Sequence, residues 1–367
     1  MDFDFNSDQY MLRDSVRRFL DDQAGPAQVR GSGAAFDAQL WQGLCELGLP
    51  SLLVPEAHEG TGLGLLDAAL LWEDMGRALL PAPLIQTMVV SDTLVRQASA
   101  EQAAQWLPAL ARGQARWSWA QHEADRDPSW LQVQARPQGQ GWQLNGQKML
   151  VPAAASATHL LVSARGSDGQ PGLYVCEAGA AGLTIAPHHS IDDHSGLCKV
   201  SFAATPAQPL AGGAQALERL LHVSALAASL QMVGVATAAM DLALDYAKQR
   251  TQFGQVIGAF QAIKHKFADM LVALEGARSC AYHAAWALAD EDSSAAVAVS
   301  MAKAASSDMC RLVCNEALQI HGGVGFTHAF DVHWYMRRGK YLEHAFGDAS
   351  WHRERVAASL LDASLPA

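Results

Sequence analysis

Two short segments hold most of the residues that could do chemistry at close spacing. The first is Arg250-Thr-Gln252-Phe253-Gly254, followed by Phe260-Gln261. The second is Gln319-Ile-His321-Gly322-Gly323-Val-Gly325. A planar guanidinium such as Arg250 matches the oxygens of a phosphate through parallel donors. It would equally serve as a solvated cation at a helix C-terminus. Gly322 follows a long helical stretch, where a left-handed cap asks for glycine. A cap explains one glycine well; a run of three also lets a ligand approach the backbone closely.

A third run, Arg337-Arg-Gly-Lys340-Tyr-Leu-Glu343-His-Ala-Phe346-Gly347-Asp348, sets two carboxylates on either side of a phenyl ring. Asp348 precedes a helical stretch over 349–360 and is placed to cap it. Glu343 lies about one turn before Phe346 and reads as solvated or ion-paired. Six cysteines are scattered at 45, 176, 198, 280, 310 and 314. Cys310 and Cys314 share a helical spacing, but no third ligand sits at a metal-motif distance, so both read as small buried hydrophobes.

The elements that must position these residues fall in three zones, with boundaries expected near residues 116 and 209. Residues 1–116 read as helical, with apolar periodicity over 8–19, 34–47 and 65–80. Gly60, Gly62 and Gly64 form a turn feeding the last of these, and Pro81 and Pro83 stop it. Residues 117–209 carry short runs of β-formers at 130–135, 142–144, 159–164, 172–176 and 198–202, which predict a small antiparallel β domain. Leu144-Asn145-Gly146-Gln147 predicts a hairpin turn. Residues 210–367 return to long helices over 214–250, 259–290 and 294–321, rich in Ala and Leu, as in a four-helix bundle. Their apolar faces are broader than one bundle needs, which predicts an oligomer. The fold class is thus α+β, in the order helical, β, helical.

The chain has 367 residues, is 50% hydrophobic and 17% charged, and carries a formal charge of −11. That composition belongs to a globular protein and excludes a mostly disordered one. The acidic balance argues against nucleic-acid binding, which needs a basic surface, but leaves room for a small phosphorylated ligand at a few local cations. The apolar stretch 220–244 is interrupted by His222, Ser224, Ser229, Gln231 and Asp241, so it reads as a buried core helix rather than a membrane span. Scattered cysteines and the lack of a signal pattern at the N-terminus point to the cytoplasm.

Taken together, Arg-x-x-Phe-Gly with Phe-Gln, then Gln-x-x-Gly-Gly-x-Gly at this separation, resembles the acyl-CoA dehydrogenase superfamily, and the likeness covers nearly the whole chain. Gly60-Thr-Gly62-Leu-Gly64 and Glu73-Asp-Met-Gly76 fall where that family has a Gly-rich turn and its following helix. The resemblance implies FAD as cofactor and an acyl-CoA thioester as substrate. A carboxylate takes the α-proton, and the β-hydrogen leaves as hydride to the flavin. It also implies an acceptor such as electron-transfer flavoprotein. Arg250, Gln252, Phe253, Gln261, Gln319, Gly322 and Gly323 would bind FAD held by a neighbouring subunit.

The chain departs from the family where the base belongs. Aligned on Lys340 and Gly347, the base position is Phe346, which has no lone pair to accept a proton. An alternative base position, on the first long helix of the C-terminal part, falls near Ser224-Ala225. Glu218-Arg219 resembles a family pair but lies six residues too early. The flavin-facing strand reads Trp119-Ala-Gln121-His-Glu123-Ala-Asp125-Arg, and Leu150-Val151-Pro152 stands where the family shields its flavin with Trp. The resemblance therefore points to the base-less subunit of a bacterial α2β2 heterotetramer. Two alternatives stay open: an autonomous homotetramer using Asp348 or Glu343, and a non-catalytic acyl-CoA-binding scaffold. Family analogy adds a bulky or dicarboxylic acyl group and a place in fatty-acid or steroid side-chain catabolism.

Overall fold

The computed structural model describes residues 5–26, 36–80, 83–124, 130–139 and 141–362. Pro81, one of the expected helix stops, lies outside them, as do Asp125 and Arg126. The chain forms two compact units. One comprises Met1–Gly31, Ala69–Leu80 and Ala225–Ala367; the other comprises Ser32–Ala68 and Pro81–Ser224.

Helices α1 (Ser7–Gln23), α2 (Ala38–Glu46), α3 (Leu65–Arg77), α4 (Leu84–Gln97) and α5 (Ala100–Ala111) open the chain. Asn6 and Ser99 start α1 and α5 with capping boxes, each reciprocated by a glutamine three residues on. Asp74 on α3 is fully buried and takes hydrogen bonds from Arg13 Nε (2.9 Å) and Arg17 Nη2 (2.6 Å) of α1. The arginines that alternate with apolar residues in α1 thus anchor it to a buried carboxylate.

The sheet runs from Trp117 to Pro209 in seven strands: β1 (Trp117–Ala120), β2 (Gln134–Gln138), β3 (Gly141–Val151), β4 (His159–Arg165), β5 (Pro171–Glu177), β6 (Leu183–Pro187) and β7 (Cys198–Pro209). Most ladders are antiparallel, as expected. β4, however, pairs in parallel with β1 along its length and with β2 at one position. Its core holds Val133, Leu144, Leu160, Val162, Val200 and Phe202. The expected hairpin at Asn145-Gly146 does not occur. β3 runs straight through these residues, and the register against β7 slips between Leu144 and Gly146. Gly146, at φ +132°, is a bulge; a Cβ there would sit 3.0 Å from Val133 Cγ2. Asn145 spends its side-chain oxygen on Ala204 N (2.9 Å), a bond to the neighbouring strand.

The C-terminal part is built from α6 (Gly213–Gln249), α7 (Gln261–Ala289), α8 (Ala295–His321), α9 (Val332–His344) and α10 (Ala349–Asp362). α8 is central and packs against α7, α9 and α10. α6 is long and apolar enough to cross a membrane, but most of its apolar stretch is buried within the protein. Two of its polar residues are absorbed along the helix: Ser229 Oγ and Gln231 Nε2 donate to carbonyls four residues back, at 2.7 and 3.2 Å. Gly76 of α3 and Gly234 of α6 let these two helices approach closely. A Cβ on Gly234 would lie 1.9 Å from Glu73 O, and one on Gly76 would lie 2.3 Å from Gln231 O.

All six cysteines are free thiols. Cys176 and Cys198 are buried in the sheet, Cys310 and Cys314 in α8; Cys45 and Cys280 are half-buried. The two in α8 stand 3.8 Å apart, against Gly339 of α9, where a Cβ would come within 2.8 Å of Cys310 Sγ. Among the described residues no three His, Cys, Asp or Glu group as a metal site.

Candidate functional site

The two segments with chemical potential end side by side. Tyr246, four residues before Arg250, stacks on His321, the residue before Gly322, with ring centroids 4.6 Å apart and planes 19° from parallel. Phe330 packs edge-on against both rings. His321 is fixed in turn by Nδ1, 2.8 Å from Ala317 O. The C-terminal ends of α6 and α8 are thereby pinned together, with the Arg250 segment issuing from one and the glycine run from the other.

From the end of α6 the chain makes a two-stranded hairpin, β8 (Thr251–Gln252) and β9 (Gln255–Val256). Phe253 and Gly254 form its tip, both with positive φ (+53° and +80°), the geometry of a two-residue primed turn. Asparagine is usual at the first of these positions. A phenyl residue there costs about 1–2 kcal/mol of backbone strain. Phe253 is nevertheless 94% exposed, its ring set edge-on to Phe260. A strained, solvent-facing aromatic gains little from burial where it stands. Arg250 is exposed too, and among the described residues its guanidinium has no acceptor. Gln252 donates back to Thr251 O (2.7 Å), and Gln261 begins α7 on the exposed side.

The three glycines after α8 divide their labour. Gly322 ends the helix at φ +65°. Gly325 is there for packing, since a Cβ would lie 2.9 Å from that of His321. Gly322 and Gly323 face open space, with nothing within 4 Å of either missing Cβ. With Asn315, Leu318, Gln319 and Phe326 they line a concave pocket of ≈ 380 Å³. Bare backbone, an amide side chain and an apolar wall, with the exposed Arg250 on the adjoining segment, suit a ligand with phosphate and aromatic parts. FAD has both, and this donor set fits its adenosine pyrophosphate arm.

The two carboxylates beside the turn between α9 and α10 are both engaged. Phe346 is buried, in a left-handed conformation at φ +60°, and its carbonyl accepts from His352 Nε2 (3.0 Å). Glu343 is buried and its carboxylate is held by Arg311 Nη1 (3.1 Å) and Lys340 Nζ (2.7 Å). Asp348 accepts from Trp351 N (2.9 Å), capping α10. Glu218 is exposed, 4.0 Å from His222, while Arg219 pairs with the buried Asp92 of α4 at 2.9 Å. Ser224 is buried.

In the β unit, Glu123 is a structural anchor. Its carboxylate accepts from the Gln132 and Val133 amides at 2.6 and 3.2 Å and from Lys148 Nζ at 2.7 Å. Lys148 is fully buried and also donates to Gln121 O and Ser163 Oγ; burial pulls it down to about 8 against the pull of Glu123. Leu150, at φ +53°, and the buried Val151 occupy the stretch where the resemblance calls for a tryptophan. Two lysines in buried polar roles escaped the sequence reading, Lys148 and Lys303. The apolar neighbours of Lys303 in α8 were the one signal that pointed inward.

Residues 6–114 match the family model for the acyl-CoA dehydrogenase N-terminal domain, and residues 211–361 match that for the C-terminal domain. The chain is 31% identical to the probable acyl-CoA dehydrogenase YngJ of Bacillus subtilis, over 98% of this chain and 100% of that protein. Among solved structures it resembles the Tcur3481-Tcur3483 steroid ACAD G363A variant (TM-score 0.91, 32% identity, 97% and 98% coverage). It also resembles the ChsE4-ChsE5 complex from Mycobacterium tuberculosis (TM-score 0.91, 25% identity, 100% of both chains). With helical, sheet and helical parts in this order and both domain models matched, the chain belongs to the acyl-CoA dehydrogenase family of flavin-dependent oxidoreductases.

Proposed function

We propose that this chain is the subunit of a two-component acyl-CoA dehydrogenase that lacks the catalytic base and completes the FAD site of a partner chain. The observation that carries this is the turn 343–348. A phenyl ring stands at the base position, and both neighbouring carboxylates are already bound, one by two cations and one as a helix cap. Exposed Arg250 and Phe253, beside the open glycine cradle, are the residues offered to the partner's cofactor. Two solved relatives, each named for two components, ChsE4-ChsE5 and Tcur3481-Tcur3483, support the reading.

FAD, when bound, supplies the acceptor for the substrate's β-hydride. Arg250 would orient the pyrophosphate by charge-assisted hydrogen bonds; Gln319 would present an amide beside the bare backbone of Gly322 and Gly323. Phe253, with Gln252 and Gln261 near it, would cover the same arm. Proton removal needs a positioned base worth typically 10²–10⁴-fold in rate, and this chain offers none at Phe346. The substrate is an acyl-CoA thioester of bulky or dicarboxylic kind, and an electron-transfer flavoprotein or similar protein takes the electrons.

The test is flavin quantification and acyl-CoA turnover for the chain alone and for the chain co-expressed with an acyl-CoA dehydrogenase-like partner. Flavin at half stoichiometry and turnover only in the co-expressed assembly are expected. In that assembly Asp348→Asn and Glu343→Gln should each leave turnover within a few-fold. Turnover by the isolated chain, abolished in Asp348→Asn with folding and flavin content intact, would instead show a self-sufficient enzyme.

A further inference from the structure

Lys303 lies on α8, fully buried, with its amino group turned to the end of α9. Nζ donates to Glu343 O (3.0 Å) and Gly347 O (2.8 Å), and its third contact is Ser307 Oγ (3.3 Å), one turn along the same helix. Among the described residues no carboxylate bonds to it, because Glu343 points its carboxylate at Arg311 and Lys340. The two carbonyls flank a turn of unusual backbone. Phe346 and Gly347 are both at positive φ, +60° and +98°, and the phenyl residue is strained there. His352 of α10 catches the carbonyl between them.

The contacts around Nζ satisfy either protonation state. An ammonium donates to all three oxygens. A neutral amine donates to the two carbonyls and accepts from the Ser307 hydroxyl, which can turn its proton inward. Proton loss therefore needs no repacking, but it replaces charge-assisted bonds to the turn by ordinary ones, about half as strong.

We infer that Lys303 is a proton-linked positioning residue, whose charged form latches the turn 343–348 to α8 and whose neutral form lets that turn loosen. The titratable and charged groups nearest it come from α8, α9, the turn and α10. Ser307, Cys310 and Arg311 share its helix; Lys340 and Glu343 come from α9; Asp348 and His352 come from the turn and α10. Burial draws the amine down to about 7, with Glu343, Asp348 and Cys310 pulling it back up. The latch thus works across neutral pH, and it is the same whether or not the turn meets a substrate.

Hydrogen–deuterium exchange of the purified protein tests this, read on peptides covering 343–349 and divided by the intrinsic exchange rate at each pH. Protection in the parent should fall several-fold between about pH 6 and about pH 8.5, centred near the lysine's own transition. Lys303→Arg, charged throughout, should stay protected at both ends; Lys303→Met should be poorly protected at both. His352→Gln should keep the fall, since the second clamp on Phe346 O is independent. Flat protection in the parent would overturn the inference, with no variant needed. So would a parental fall retained in Lys303→Met, or one lost only in His352→Gln.

Discussion

The Arg250 guanidinium is exposed and without an acceptor among the described residues, so removing it should barely touch the fold. Arg250→Ala should leave stability within about 0.5 kcal/mol. It should weaken flavin retention in the assembled enzyme by roughly 1.5–3 kcal/mol, the worth of a charge-assisted bond to phosphate. A fluorescence titration of the apo assembly with FAD measures this, and unchanged affinity would reduce Arg250 to a helix-end cation. Lys148 is the opposite case. Burial holds it at about 8, so above that pH the unfolded chain binds a proton that the folded chain does not, up to its own value of about 10.4. Stability contributed by this site therefore grows as pH rises through that window and is lost as pH falls through about 8. Lys148→Met should remove that slope in urea titrations. It should also cost about 3–5 kcal/mol by stranding the Glu123 carboxylate; a variant as stable as the parent would show Glu123 finding another partner.

At the scale of elements, glycines tell packing from binding. Gly234 lets α6 approach α3 so closely that an added methyl would overlap Glu73 O. Gly323 faces open space at an ordinary φ. Gly234→Ala should therefore cost about 1–3 kcal/mol or more. Gly323→Ala should leave the melting temperature unchanged while weakening FAD, and thermal melts beside flavin titrations separate the two. The long helices α6, α7 and α8 were legible almost to their ends, because a 3.6-residue period repeated over many turns outweighs local noise. No separate helix was legible in α4, whose side chains from Leu84 to Leu94 are nearly all buried and so show no clean face. β1, Trp-Ser-Trp-Ala, is buried throughout and shows no alternation. Asn145-Gly146 misled because the dipeptide that favours positive φ in a turn serves a bulge equally well. The Arg250 and Gly322 segments were legible as motifs, but their meeting through Tyr246 and His321 was not, since they are about seventy residues apart. Lys303 was hidden for a simpler reason: a lone lysine in an alanine-rich helix is normally a solvated one.

For the molecule as a whole, several of the large apolar residues left in solvent lie on the C-terminal helices. Leu271 and Val272 of α7 are 48% and 74% exposed, and Met301 and Leu312 of α8 are 50% and 41% exposed. An interface built on these helices is the expected outlet, and a stable one buries about 1,200–2,000 Å². Light scattering should find the protein assembled at micromolar concentration. Leu271→Glu with Val272→Lys should shift it toward monomer, and a parent that runs as a monomer would remove this account of the surface.

The free thiols carry a consequence of a different kind. Four are shut away, two within the sheet and two within α8, and two are half-open. A maleimide or iodoacetamide pulse on the native protein should therefore label Cys45 and Cys280 first. The remaining four become clocks: Cys176 and Cys198 react when the sheet opens, Cys310 and Cys314 when the helices part. Because each pair lies in a different compact unit, peptide mass analysis along a denaturant series would show whether the two melt together or in sequence, with no engineered probe. The chain carries a record of its own order of unfolding in the chemistry of sulfur.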